Sequence, residues 1–192
     1  VNPDASGFGQ FGELTGSLGD RLFLSLTDGV TGYELWASDG TTDGTVLVAD
    51  ISPGNSYSDI GFLSSLGNQL LFVADDGVNG RELWITDGTT AGTELLKDIG
   101  PGEISGVFSV VSDRFGDLIY FYADDGVTGR EIWVTDGTAS GTRPAFDLNP
   151  GLAGAITDLR GLGRIGNSLF FGGNDGTTGE ELWIYEPFGP ST

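Results

Sequence analysis

The sequence predicts an all-β fold, a four-bladed β-propeller built from four repeats of about 49 residues with four strands each. Three observations carry this expectation. Trp occurs four times, at Trp36, Trp84, Trp133 and Trp183, with spacings of 48, 49 and 50 residues. Each Trp lies in one recurring phrase: YELWASDGTTDGT, RELWITDGTTAGT, REIWVTDGTASGT and EELWIYEPFGPST. Gly accounts for 34 of 192 residues, far above the usual share of about 7%, which implies many turns and few helices. No ten-residue stretch both lacks Gly and follows a 3.6-residue period, so helix is the poorer reading.

The second unit shows how each element is read. Residues 62–66 form strand A, Gly67-Asn68 the turn, and 69–74 strand B. Asp75-Asp76-Gly77-Val78-Asn79-Gly80 is the next turn, followed by strand C at 81–86. A turn at 87–92 leads to strand D at 93–99, and Pro101-Gly102 passes the chain to the next unit. The blades fall at about 8–51, 59–99, 106–148 and 155–186, in a single domain. Strand B is apolar on both faces, as Leu70-Leu71-Phe72-Val73 shows, so its sheet must be covered on both sides. Stacked four-stranded sheets of this length are propeller blades. The four Trp are therefore expected in the repeat core, between blades, rather than as sugar platforms.

The fourth unit differs. Aligned on Trp, Thr192 falls on Thr142, where strand D should begin. Val1-Asn2-Pro3-Asp4 matches Leu148-Asn149-Pro150-Gly151, so the piece without a counterpart corresponds to residues 143–147. The last blade is expected to lack its outer strand. Either the termini meet at the ring seam, or the open edge recruits another chain by strand addition. A heterologous contact of that kind grows into a fibre unless it closes.

At ELW-x-x-DGT-x-x-GT the chain resembles the bacterial ELWxxDGT repeat family. The pattern is Glu34-Leu35-Trp36 with Asp39-Gly40-Thr41 and Gly44-Thr45, then Glu82-Leu83-Trp84 with Asp87-Gly88-Thr89 and Gly92-Thr93. It returns as Glu131-Ile132-Trp133 with Asp136-Gly137-Thr138 and Gly141-Thr142. The last copy keeps Glu181-Leu182-Trp183 but has Glu186-Pro187-Phe188 in place of DGT. The resemblance covers nearly the whole chain. It implies propeller segments of large secreted or surface proteins, with no assigned chemistry.

Composition narrows the function. The chain has no His and no Cys, which excludes Ser-His-Asp and Cys-His catalysis, disulfides, and zinc sites on those ligands. The net charge of −20, with one Lys and seven scattered Arg, repels nucleic acid and anionic membrane surfaces. No apolar run approaches 18 residues, so membrane insertion is not expected. The chain has no Met and starts with Val, which fits a secreted, processed protein or an excised fragment.

The carboxylates are the chemically rich set. Asp75 and Asp76, with Asp124 and Asp125, are the candidate calcium ligands, since calcium takes six to eight oxygens. Their competing role is turn chemistry: Asp bonds its own backbone and Gly supplies φ > 0. That role is preferred, so no cofactor is expected, with calcium the one considered. The Glu before Leu-Trp is expected to bond a neighbouring blade or loop. Carboxylate pairs can hydrolyse glycosides, but these acids are spread evenly over the repeats, and no Gly-rich turn has phosphate-loop form. The expected function is a non-enzymatic extracellular structural or interaction module, forming a homo-oligomer or polymer through the terminal blade edge. The alternative is a lectin-like propeller that binds carbohydrate, with or without calcium. Against it, Tyr33, Tyr57, Tyr122 and Tyr185 share no repeat position.

Overall fold

The computed structural model describes residues 16–109, 112–151, 154–156 and 161–187. Among them are fifteen strands and no helix, arranged as four antiparallel sheets that each follow chain order. The first holds β1 (Gly16–Leu18), β2 (Arg21–Leu26), β3 (Glu34–Ser38) and β4 (Val46–Ala49). The second holds β5 (Gly61–Leu66), β6 (Gln69–Asp75), β7 (Arg81–Thr86) and β8 (Glu94–Lys97). The third holds β9 (Ser112–Phe115), β10 (Leu118–Asp124), β11 (Arg130–Thr135) and β12 (Arg143–Pro144). The fourth has three strands among the described residues: β13 (Leu162–Ile165), β14 (Ser168–Asn174) and β15 (Glu180–Tyr185).

The repeat is thus a repeat of sheets, and its predicted strands fall where expected. One boundary differs. Strand D was expected over 93–99, but β8 ends at Lys97. Beyond it the backbone N–H groups of Ile99 and Gly100 turn inward to a side chain, Glu82, and leave the ladder. The start of the first blade, residues 8–15, lies outside the described residues.

The two-sided burial of β6 is borne out, and β10 shares it. Leu70, Leu71, Phe72, Val73 and Ala74 are all buried. Side chains alternate across a strand, so this one strand feeds two cores. Leu70, Phe72 and Ala74 face the first sheet and meet Phe23, Leu35 and Ala37. Leu71 and Val73, with Leu83 and Ile85, face the third sheet and meet Ile119, Phe121, Ala123 and Trp133. A third core joins Tyr120, Tyr122, Ile132 and Val134 to Leu169 and Phe171 of the fourth sheet. Each buried side chain of this size contributes about 1.5–3 kcal/mol. The described residues thus have three cores, joining sheets one to two, two to three and three to four. None joins the fourth sheet to the first.

The DGT-x-x-GT phrase folds as a self-contained loop. Asp87 Oδ1 accepts the N–H and hydroxyl of Thr89, at 2.9 and 2.7 Å. The Thr89 hydroxyl oxygen accepts Gly92 N–H at 3.0 Å, and Thr93 Oγ1 donates to the Thr89 carbonyl at 2.7 Å. Gly88 is left-handed, at φ 89°. A Cβ on Gly92 would stand 2.1 Å from Asp87 Oδ1, so the motif needs Gly there for space.

Candidate functional site

The four candidate metal ligands all sit where the second strand of a sheet turns into the third: Asp75 and Asp124 end β6 and β10, and Asp76 and Asp125 follow in the turns. Asp75 Oδ1 accepts Gly77 N–H at 2.7 Å. Asp76 Oδ1 accepts the N–H groups of Val78 and Asn79, and its Oδ2 accepts the Asn79 amide, all within 2.9 Å. Asp124 and Asp125 repeat this with Gly126, Val127 and Thr128. These bonds to the ionised form hold Asp76 and Asp125 below the usual carboxylate range despite the opposing effect of partial burial. Their carboxylates are already acceptors for the turn, the role the sequence reading preferred. Among the described residues, no group of three or more acids is placed to hold a metal ion.

The Glu before Leu-Trp does something more specific. Glu34, Glu82 and Glu131 are fully buried, each at the start of the third strand of its sheet. Glu82 accepts Ile99 N–H at 2.7 Å, Gly100 N–H at 3.0 Å and Gly106 N–H at 2.7 Å. Glu34 accepts Ile51 N–H at 2.7 Å and the Ser58 hydroxyl. Glu131 accepts Leu148 N–H at 3.4 Å and Ala155 N–H at 2.9 Å. In each case the donors lie on the linker that leads to the following sheet. Burial pushes the carboxyls of Glu82 and Glu131 up to about 7, and raises that of Glu34, against these hydrogen bonds.

The linker residue then completes the crossing. Ser58 N–H donates to the Tyr33 carbonyl and the Ser58 carbonyl accepts Asp75 N–H at 2.8 Å. Gly106 does the same between Arg81 and Asp124, and Ala155 between Arg130 and Asn174. One residue thus bonds the backbone of two successive sheets, and the buried Glu anchors it. Its two crossing bonds use only backbone groups, which every residue type supplies, so its identity varies and no motif marks it. Arg81 adds a side-chain crossing, with Nε 3.2 Å from Asp59 Oδ2.

The Trp set divides by position. Trp133 is buried in the second core, and Trp84 and Trp183 are half-buried against the first and third. Trp36 is half-buried and belongs to none of the three cores. It lies on the side of the first sheet that no other described sheet covers. The Tyr set behaves similarly as individuals: Tyr122 is buried, Tyr33 and Tyr185 half-buried, and Tyr57 exposed against the Tyr33 ring.

Sequence reasoning missed an exposed apolar face. On the fourth sheet Ile165 is 72% exposed, Leu182 72% and Ile184 57%. Their counterparts in the third sheet, Phe115, Ile132 and Val134, are 3%, 0% and 3% exposed. Glu181, the counterpart of the buried Glu131, is also exposed. The signal was in the repeat itself: the fourth copy carries the same apolar positions that the third sheet buries, and among the described residues no further sheet meets them.

No family model matches the chain, and no curated protein matches it. Among solved structures it is similar to prolyl oligopeptidase B from Galerina marginata, in the apo form, with 15% identity and a TM-score of 0.51. The match covers 90% of this chain and 24% of the peptidase, so this chain spans about a quarter of that protein. At that identity the likeness shows the fold alone, and it supports a β-rich arrangement of successive sheets. Among the described residues no helix is long and apolar enough to cross a membrane.

Proposed function

We propose that the chain is a non-enzymatic structural and interaction module, made of propeller-type blades and working outside the cell. The observation that carries this is where the perturbed acids are. Strongly shifted carboxyls sitting in a cleft mark catalytic sites. Here the raised ones, Glu82 and Glu131, are sealed from solvent and fully engaged with backbone N–H groups. The lowered ones are tied into their own turns, as Asp87 and Asp136 are by Thr89 and Thr138. Each role recurs from sheet to sheet, whereas an active site breaks symmetry at one place. The peptidase likeness does not alter this, since a chain without His cannot supply a Ser-His-Asp triad.

The carbohydrate-binding alternative wants repeated exposed aromatics, and only Tyr57 of the four Tyr is exposed. Calcium is not required by this reading. A glycan array and a panel of peptide, ester and glycoside substrates test it together. We expect no inhibitable glycan hit and no turnover. Turnover lost on changing a single acid would overturn the proposal.

A further inference from the structure

The exposed face of the fourth sheet is one half of a junction that the chain builds three times internally. We propose that this face is a docking surface for the first sheet of a second copy of this chain. The inference rests on the interaction-module reading and names its partner.

Every internal junction has the same two halves. The trailing half comes from the earlier sheet, as with Leu83 and Ile85 of β7. The leading half comes from the later sheet, as with Ile119, Phe121 and Trp133. Among the described residues the trailing half of the fourth sheet meets no leading half: Ile165, Leu182 and Ile184 are all exposed. The first sheet begins with the reverse. Leu22, Leu24, Leu26 and Trp36 stand where the second sheet has Leu70, Phe72, Ala74 and Trp84. Leu22 is 49% exposed, while Leu70 is 1% exposed. The trailing face is exposed and the leading face is open at Leu22 and half-buried elsewhere, and no described core joins the first sheet to the fourth. A second copy supplies the missing half with a shape already tested three times.

The polar anchor agrees. Glu181 occupies the position from which Glu34, Glu82 and Glu131 grip the linker ahead of the incoming sheet. The contact is heterologous, head to tail. Two copies closing on each other place eight sheets in a ring, within the four to eight blades that propellers commonly use. The net charge of −20 per chain opposes the encounter, so added salt should strengthen association by screening repulsion around an apolar contact.

The test is sedimentation velocity across protein concentration, on the full chain and on Leu182→Asp and Leu22→Asp. Both residues are exposed, and tryptophan fluorescence and circular dichroism check that each variant folds; Ile184→Asp replaces Leu182→Asp if it does not. We expect the unaltered chain to form a dimer or longer oligomer, favoured by salt. Each variant alone should associate at least about tenfold more weakly. A mixture of the two should recover a one-to-one dimer, because one intact junction remains between them. A chain that stays monomeric, variants that associate like the parent, or a mixture that fails to pair would each overturn the proposal. Association unaffected by both variants would point instead to strand addition at the sheet edge. Failure here leaves a non-enzymatic module with another partner, whereas turnover would sink that reading and leave the association as measured.

Discussion

Glu82 in the second sheet accepts the backbone N–H of Gly106, at 2.7 Å, on the linker into the third. The same carboxylate holds Ile99 and Gly100, so the interior N–H groups of three linker residues share one acceptor group. An unsatisfied buried donor costs about 1–3 kcal/mol, and this gives the Glu its structural weight.

Stability should fall as pH rises through the window these acids define. Burial lifts the Glu82 and Glu131 carboxyls from an ordinary value near 4.5 to about 7. Between those values the folded chain binds more protons than the unfolded one, so stability declines with rising pH and levels off above 7. Each group contributes up to about 3 kcal/mol to that slope. The turn aspartates work oppositely, being held below their ordinary range, and their contribution is lost at still lower pH. Urea melts from pH 3 to 8 should therefore peak near pH 4 to 5. A stability that rises steadily from pH 5 to 7 would contradict this assignment.

Glu82→Gln should destabilise the protein by about 2–4 kcal/mol, since an amide offers one oxygen to three N–H groups and turns a donor toward them. The variant should also flatten the slope between pH 5 and 7. Equilibrium unfolding at both pH values separates the two effects.

Gly92→Ala should cost about 1–3 kcal/mol, because the new methyl displaces the Asp87 carboxylate from Thr89. Gly163→Ala is the matched control. Its Cβ would meet nothing within 4 Å, and the change should stay within about 0.5 kcal/mol. Equal changes at the two sites would show that the space beside Asp87 does not govern the loop.

Truncating the tryptophans should rank them by neighbours. Trp133→Ala removes a side chain that is 4% exposed in the second core, and should cost about 3–5 kcal/mol. Trp36→Ala should cost about 1 kcal/mol or less in the monomer, as expected for a side chain outside the packed cores. Thermal denaturation of both variants reads the order directly.

Asp76→Ala should cost about 1–2 kcal/mol through the lost bonds to Val78 and Asn79. Melts of the parent and the variant should each coincide with and without chelator. A marked drop of the parent alone in chelator would make Asp75 and Asp76 calcium ligands.

Much of this was legible in the residues. Gly67-Asn68 and the run from Arg81 to Thr86 fell where local turn chemistry and apolar patterning placed them. The two-sided burial of Leu70 to Ala74 was readable because a strand with no polar side has no face for water. The linker contacts were not readable: Ser58, Gly106 and Ala155 share a role carried by N–H and C=O alone, which every residue type supplies. Nor was the difference between Trp36 and Trp133. Their local phrases are nearly identical, and only the presence of a covering sheet separates them. The Glu34, Glu82 and Glu131 set lay between these cases, since burial of a charged residue inside an apolar strand signals a partner without naming it.

The anchor at each junction reaches one sheet forward and no further. Cooperativity is therefore a chain of nearest-neighbour couplings, and unfolding is free to begin at an end and travel inward, one repeat at a time. The same locality governs how such a sequence can change. A whole repeat can be duplicated or deleted by recombination, and the new neighbours meet through the Glu, linker and apolar faces they already carry. Length becomes an adjustable property of the gene, and no existing repeat has to be rewritten to accommodate it.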